Sequence, residues 1–366
     1  MKIVVTGGIG SGKSTVTELL RREFPNFGVL SVDKLVAKMY EDPMIGDQLI
    51  DKLGTKNKDD VREIVFKNEK LRLAVEEMFS SQIRLSINSM IDFNKDIIIE
   101  FPLLFEKGMD MIKDFDVVIS VLANESIRIR RVIERSNLTE ERVQSILDAQ
   151  TDDETRRFNS DHVIINNGDL DYLKKSVTEV AKDIRLDSYK KDNKKIGMFA
   201  GSFDPITLGH QHLIKKSLEI VDFLIVGIST NKNKTSFVKV GAKAHLIESS
   251  LVEFLSPEEL KRVYIKTIPE HLLTIKYAKK LGVNFMFRGI RSATDLEYES
   301  QINLLQKKIE PSIETIYLIT PRELMEISSS LVKSIYGLED WELIAKDYVS
   351  KSVLNYLSTE AALSKF

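Results

Sequence analysis

The stretch Gly7-Gly8-Ile9-Gly10-Ser11-Gly12-Lys13-Ser14 constrains this chain more than any other. It fits G-x-x-x-x-G-K-[ST] without a mismatch. It follows the apolar run KIVVT (residues 2–6) and opens a helical pattern from about Lys13, with Val16, Leu19, Leu20 and Phe24 on one face. Glycines let the backbone curl so that successive N–H groups face phosphate oxygens. The helix start adds the positive end of its dipole. Lys13 is placed to reach the β- and γ-phosphates of a nucleoside triphosphate, and Ser14 to ligate Mg²⁺. A Gly-rich turn that binds nothing is the plainer alternative, and the strand before and helix after it speak against that.

The runs IIIEF (97–101), VVISVL (117–122) and VII (163–165) read as further core strands separated by charged helical stretches. That alternation predicts an α/β fold with a parallel sheet and helices on both faces. At 185–195 the composition shifts to RLDSYKKDNKK, with four lysines in its last six residues. It reads as a linker or a frayed helix end, assigned to 189–194. The strand–turn–helix pattern then restarts with KIGMFAG and a helix from about His210 bearing Leu213, Ile214, Leu218 and Val221. Strands follow at FLIVGIS (223–229), VYIKTI (263–268), NFMFRG (284–289) and ETIYLIT (314–320), and the tail beyond about Trp341 reads as helical. Two α/β domains, 1–188 and 195–366, are therefore expected. The length of 366 residues agrees, at roughly 150 residues per domain. No repeat relates the halves beyond this shared logic.

Composition narrows the class. The chain has 53 Lys+Arg against 55 Asp+Glu, is 43% apolar and 30% charged, and has no cysteine. Wholesale disorder is excluded. Near-neutral charge argues against general nucleic-acid or acidic-membrane binding. Disulfides, thiolate metal sites and thiol catalysis are excluded. No apolar run approaches the ~20 residues of a membrane span, and the N-terminus passes into a glycine turn rather than a signal-peptide core. The expected location is the cytoplasm.

The Gly-rich motif specifies a triphosphate but no acceptor. Asp33 ends the short apolar stretch VLSVD, where a carboxylate can accept a hydroxyl proton or simply cap a helix. FPLLFE (101–106) places Pro and Glu at a strand end, the ligand edge of such sheets. Arg128, Arg130, Arg131 and Arg135 crowd one helix, as a solvated face or as a lid over phosphates. GGIGSGKSTV, the Asp33 region, PLLFE, the Arg-rich segment, ILDAQ (146–150) and DHVIINNGD (161–169) together resemble the dephospho-CoA kinase family across nearly all of 1–188. The resemblance implies a P-loop kinase domain with a helical lid that phosphorylates the 3′-hydroxyl of dephospho-CoA. It implies Asp33 as general base, and Gly8, Gly10, Ser11, Gly12, Lys13, Ser14 and Thr15 around ATP–Mg²⁺. Arg131 and Arg135 would be lid residues. The chain departs from the family at Ser31, where a first carboxylate is common, and at Ser80-Ser81, near a common His-Pro pair.

The second half carries Gly201-Ser202-Phe203-Asp204-Pro205-Ile206-Thr207-Leu208-Gly209-His210, again between a strand and a helix. Ser202 offers a hydroxyl and an N–H after a glycine. Gly209 keeps a helix start bare for phosphate. His210 is placed to donate to a polyphosphate oxygen, or is structural. Lys234, Arg288 and Arg291 lie after strands, as ligand-edge cations or as solvated loop charge. Asp295 and Glu299 orient those arginines or cap the next helix. Ser328-Ser329-Ser330 opens an amphipathic helix, as an N-cap or as a third anion-binding start.

GSFDPITLGH, the Lys234 segment, RGIRSATDLEYE and ISSSLVK occur in that order and resemble the phosphopantetheine adenylyltransferase family over about 195–355. The resemblance implies a Rossmann-like nucleotidyltransferase domain. It places Ser202 and Lys234 at the reacting and pantetheine phosphates, His210 at ATP and pyrophosphate, and Arg288 at the reacting phosphates. Arg291 and Ser328–Ser330 would bind ATP, with Phe203, Leu273 and Gly289 lining the site and Glu299 near the pantetheine or subunit side. Met325-Glu326 replaces the usual Ser-aromatic pair. Together the likenesses imply two consecutive steps, from 4′-phosphopantetheine to dephospho-CoA to CoA. ATP would be co-substrate and Mg²⁺ the cofactor, with no nucleic-acid or membrane partner and room for a homo-oligomer. Two alternatives stay open: another small-molecule kinase fused to, for instance, a nicotinamide mononucleotide adenylyltransferase, or one half retained as a binding module.

Overall fold

Strand β1 (Lys2–Thr6) is central to the first sheet because it tolerates burial on both faces: Ile3, Val4 and Val5 have no exposed surface. The computed structural model describes residues 1–93, 96–136, 138–229 and 236–363. Its other strands in the first half are β2 (Gly28–Ser31), β3 (Ile97–Glu100), β4 (Val117–Leu122) and β5 (His162–Ile165). They lie in the order β2-β3-β1-β4-β5, and every pair is parallel. The register pairs Val4 with Ile99 on one side and with Val118 on the other, so β-branched side chains stack across the sheet. One face packs on Val16 and Leu20 of the helix Lys13–Glu23, on Phe24 at its C-cap, and on Leu173, Val177 and Ala181 of the helix Leu170–Lys191. The other packs on Val32, Ile87, Leu104 and Met111.

The second half repeats the plan with β6 (Ile196–Gly201), β7 (Phe223–Ile228), β8 (Val263–Thr267), β9 (Phe285–Ile290) and β10 (Glu314–Ile319). The order is β10-β9-β6-β7-β8, again all parallel. All six residues of β7 are buried, as expected for a strand with both faces covered. The helix Leu208–Leu218 lies on one face with Trp341, Val349 and Val353 of the C-terminal segment; Ile275, Ala278 and Val283 cover the other. The expected α/β architecture, in the expected order, is what forms.

The chain divides into two compact units, Met1–Ile184 and Arg185–Phe366. Residues 189–191, half of the expected linker, instead form the last turn of the helix Leu170–Lys191. The reason is local: Leu186 and Tyr189, three apart, give the lysine-rich stretch an apolar edge that packs with Ile196 and Phe223. Among the described residues no helix is long and apolar enough to cross a membrane.

Candidate active sites

The first site forms where β1 ends. Gly12 sits at φ 95°, and a Cβ there would lie 2.2 Å from the Asn166 amide, which donates to Ser11 O at 2.8 Å. A Cβ on Gly8 would lie 2.2 Å from an Arg128 nitrogen. Gly10 turns beside the Arg128 backbone, and Ile9 N–H donates to Gln150 Oε1 at 2.9 Å. The helix Lys13–Glu23 starts with no side-chain cap and no acidic residue in its first turn. Its leading N–H groups thus meet no protein anion, the arrangement that suits phosphate.

Lys13 donates to Gly8 O at 2.9 Å, and Ser14 Oγ donates to Glu100 Oε1 at 2.6 Å. Burial lowers the Lys13 pKa to about 8, against the pull of Glu100 and Asp33 and with Arg156 and Arg128 adding to the lowering. Thr15 is exposed on the same turn. Donors beside this loop are unspent. Ser11 Oγ is buried without a partner, and so is Nη1 of the fully buried Arg156. The rest of Arg156 is tied down, through Nη2 to Glu106 Oε1 at 2.6 Å and through Nε to Thr151 O at 3.2 Å. Orphaned buried donors are costly, and an anionic ligand would satisfy them. The hard oxygens of Ser14 and Glu100 fit Mg²⁺, which takes one or two protein oxygens and completes its shell with phosphate and water. No all-protein cage of three or more His, Cys, Asp or Glu occurs among the described residues.

The four arginines separate by role. Arg128 is buried, donates from Nε to Ile9 O at 3.1 Å and faces Asp153 at 3.6 Å, so it buttresses the loop. Arg131 reaches Asn166 Oδ1 at 3.5 Å with a buried, unpartnered Nη1. Arg130 and Arg135 lie exposed on the helix Glu125–Ser136, Arg135 one turn beyond Arg131. Asp33 sits in the first turn of the helix Val32–Met39, after the N-cap position held by Ser31, so it is not the cap. It borders a cavity of about 1270 Å³ with an apolar wall of Val32, Tyr40, Phe79 and Phe101. Ser80, one of the departures, also lines it, and Arg72, Arg84 and Arg142 supply positive charge. Asp33 therefore belongs both to this cavity and to the surroundings of Lys13.

The second site forms where β6 ends. Ser202 is exposed, Phe203 is buried at φ 45°, and Asp204-Pro205 is cis. The helix begins at Leu208, two residues before the expected start, with Thr207 at its N-cap. Thr207 N–H donates to His210 Nδ1 at 3.1 Å, and the Thr207 hydroxyl lies 2.8 Å from the same nitrogen. The neutral ring therefore carries its proton on Nε2, the nitrogen available to a ligand. Burial, with Arg291 nearby, lowers the His210 pKa to about 4 and keeps the ring neutral. A Cβ on Gly209 would meet Ile327 O at 3.6 Å, an ordinary contact, so the protein itself leaves that place open.

Ser328 caps the helix Ser329–Ile335 by accepting from Leu331 N at 3.1 Å, Ser329 Oγ donates to Pro205 O at 2.8 Å, and Ser330 is exposed. The serine run is thus brought to the motif loop. Arg288 lies inside β9 rather than after it, with Nε 3.4 Å from Glu299 Oε2. Arg291 N–H donates to Asp295 at 3.2 Å. Gly289 is a packing glycine: a Cβ there would lie 2.3 Å from Leu213. Leu273 is exposed before the helix Thr274–Lys280. Lys234 falls outside the described residues. Sequence patterning passes over Glu100, Arg156 and Asp204. Glu100 is signalled only by an acid ending a core strand, and Arg156 by nothing in its polar surroundings.

Residues 1–171 match the family model described as dephospho-CoA kinase, and residues 198–335 match that described as cytidylyltransferase-like. A phosphopantetheine adenylyltransferase of Lachnoclostridium phytofermentans is 39% identical over 145 residues, which are 39% of this chain and 84% of that protein. One from Chromobacterium violaceum is 35% identical over 159 residues, 43% of this chain and 93% of that protein. The solved dephospho-CoA kinase of Campylobacter jejuni is 24% identical, covers 51% of this chain and 100% of its own, and superposes with a TM-score of 0.39. A glycine cradle under one sheet and a His-bearing cradle under the other thus come with the relatives to match: the chain belongs to the phosphopantetheine adenylyltransferase family through its second unit and carries a dephospho-CoA kinase domain in its first.

Proposed function

We propose that this chain performs two consecutive transfers from ATP. In the first, the phosphate of 4′-phosphopantetheine attacks the α-phosphorus of ATP; pyrophosphate leaves and dephospho-CoA forms. In the second, the ribose 3′-hydroxyl of dephospho-CoA attacks the γ-phosphorus of a second ATP; ADP leaves and CoA forms. The observation that carries this reading is the presence in one polypeptide of both families, each with its own phosphate cradle at the end of its central strand. The relatives of the second half favour the pantetheine branch over a nicotinamide mononucleotide one. The domains would be 1–188 and 195–366, acting in the cytoplasm.

The two steps ask different things of the chain. The adenylyl step starts from an anionic phosphate and needs no base, so positioning and positive charge carry it. His210 would donate from Nε2 to the polyphosphate, with Arg291, Ser202 and the 328–330 serines holding ATP and Arg288 at the reacting phosphates. The kinase step starts from a neutral hydroxyl. Asp33 would take its proton, in the cavity where the acceptor would lie. Lys13, the uncapped helix start, Ser11 and Arg156 would hold the transferring phosphates. Ser14 and Glu100 would hold Mg²⁺, which when bound neutralises phosphate charge.

The test is one reaction of the full chain with 4′-phosphopantetheine, ATP and Mg²⁺, followed by mass. Dephospho-CoA should appear first and CoA after it. Absence of dephospho-CoA, or equal turnover of nicotinamide mononucleotide, would sink the reading.

A further inference from the structure

The most heavily engaged charge near the second site is the carboxylate of Asp204, which is buried and touches three separate elements. The first is the backbone at 236–238: Phe237 N–H donates to Oδ2 at 3.0 Å, Val238 N–H to Oδ1 at 2.8 Å, and Ser236 Oγ to Oδ1 at 3.2 Å. The second is the helix Val240–Val252, whose buried Lys243 lies 3.2 Å from Oδ1 and also donates to Ser202 O at 3.3 Å. The third is the helix Ser329–Ile335, whose Lys333 donates to Oδ2 at 2.5 Å. Ser329, one turn before Lys333, donates to the carbonyl of the adjoining Pro205. Two neighbouring residues of the motif loop therefore grip one face of that helix at two successive turns.

The Asp204 carboxylate is spent on these contacts and would not touch substrate, yet each element it joins carries or adjoins a group that would. Ser202 and Phe203 precede Asp204 in the loop, Thr207 and His210 follow it, and the 328–330 serines open the gripped helix. The ring of Phe237 packs edge-on against Tyr336 at 4.9 Å, with Lys333 Nζ 5.8 Å from its centre, so the 236–238 segment and the serine helix also meet through side chains. The carboxylate stays ionised here. Burial would raise its pKa, but Lys333, the two amides and Lys243 hold it well below the usual carboxylate range.

We propose that Asp204 is a positioning residue for adenylyl transfer: its single carboxylate locks the Ser202 turn, the 236–238 backbone and the serine helix into one frame. The proposal rests on the adenylyl-transfer reading of this site. Small displacements of such a frame are expensive, because reacting groups lose their aligned spacing before they lose affinity. Asp204→Asn removes the charge that holds two ammonium groups while keeping one acceptor for an amide.

The test uses the full chain, with the two steps assayed separately by supplying either 4′-phosphopantetheine or dephospho-CoA. Asp204→Asn should lower kcat for adenylyl transfer ~10²-fold, leave its KM for ATP near wild type, and leave the kinase step untouched. Lys333→Met, which cuts only the helix tie, should lower kcat by roughly tenfold. Combined with Asp204→Asn it should cost less than the product of the two. Amide hydrogen exchange at 237, 238 and 329–335 should quicken in both variants. Unchanged exchange at those amides, or unchanged kcat in both variants, overturns the proposal whatever the wild-type substrate proves to be. If Asp204→Asn does not fold, Lys333→Met decides alone. A loss confined to KM overturns the proposal too, since it would make the tie one of affinity. A wild-type chain that transfers no adenylyl group would overturn the functional reading, while the exchange measurement would still judge the tie.

Discussion

The two loops to which the proposed function gives a phosphate tail are built by different means. The first is made by removing side chains. Gly8 and Gly12 stand where Arg128 and Asn166 leave no room for a Cβ, and the backbone does the cradling. The second is made by adding them. Its loop has a buried phenylalanine at φ 45°, and the grip proposed for it would come from His210, Arg288 and a serine helix brought in from distant parts of the chain. A cradle of backbone is set within eight residues; one of side chains depends on ties such as Ser329 to Pro205. The first is therefore legible in sequence and tolerates little change within its motif. The second is spread out and fails at a distance.

Several changes would break or sharpen that contrast. Lys13→Ala should lower the kinase step by on the order of 10³-fold and spare adenylyl transfer, while His210→Ala should do the reverse by about 10²–10³-fold. Either variant losing both activities while folded would collapse the two cradles into one. Asp33→Asn should reduce kinase turnover ~10²-fold with ATP binding intact, read by steady-state kinetics beside equilibrium titration. Unaltered turnover would leave Asp33 with no role in proton transfer.

Protonation separates the cradles further. Lys13 has a pKa lowered to about 8, so above that pH its free side chain is uncharged and must take up a proton with the phosphate. Affinity for ATP in the first unit should therefore fall as pH rises past 8, by up to about tenfold per unit. Calorimetry in buffers of different ionisation enthalpy should show proton uptake near one at pH 9 and near zero at pH 7. His210, with its pKa lowered to about 4, is neutral throughout that range. The His210 ring, followed by its NMR shifts, should show no titration between roughly pH 5.5 and 7.5; a ring titration near 6.5 would contradict the Thr207 hydrogen bond. The smallest effect concerns two glycines of the second unit. Gly289→Ala drives a Cβ into Leu213 and should cost about 1–3 kcal/mol in unfolding. Gly209→Ala has 3.6 Å of room and should leave the melting temperature alone while weakening ATP binding.

Core strands are readable because short apolar runs alternating with charged helical stretches mark a sheet covered by helices, and each of the nine runs read as a strand lies within a residue or two of the one that forms. The edge strand β2 was harder: its four residues are only half buried, and Val29 is 40% exposed, so VLSVD carries no clear period. The glycine loop and the His210 turn were visible because their geometry restricts residue type within a short window. Arg156 was not, because a buried arginine in DETRRF looks like any solvated helix until Glu106, 50 positions away, is seen against it. Glu100 and Asp204 have the same difficulty. Their partners are set by the fold rather than by spacing along the chain.

The pairing of Arg288 with Glu299 carries a consequence for turnover. Both side chains are more than four-fifths buried, with Nε and Oε2 3.4 Å apart. Part of the arginine's pull is therefore already answered from within the protein. An unanswered guanidinium in that place would clasp the charged product as firmly as the reactant, and binding that favours both alike slows departure without quickening chemistry. In the proposed transfer the glutamate would act as a counterweight, tempering the arginine's hold on a departing phosphate.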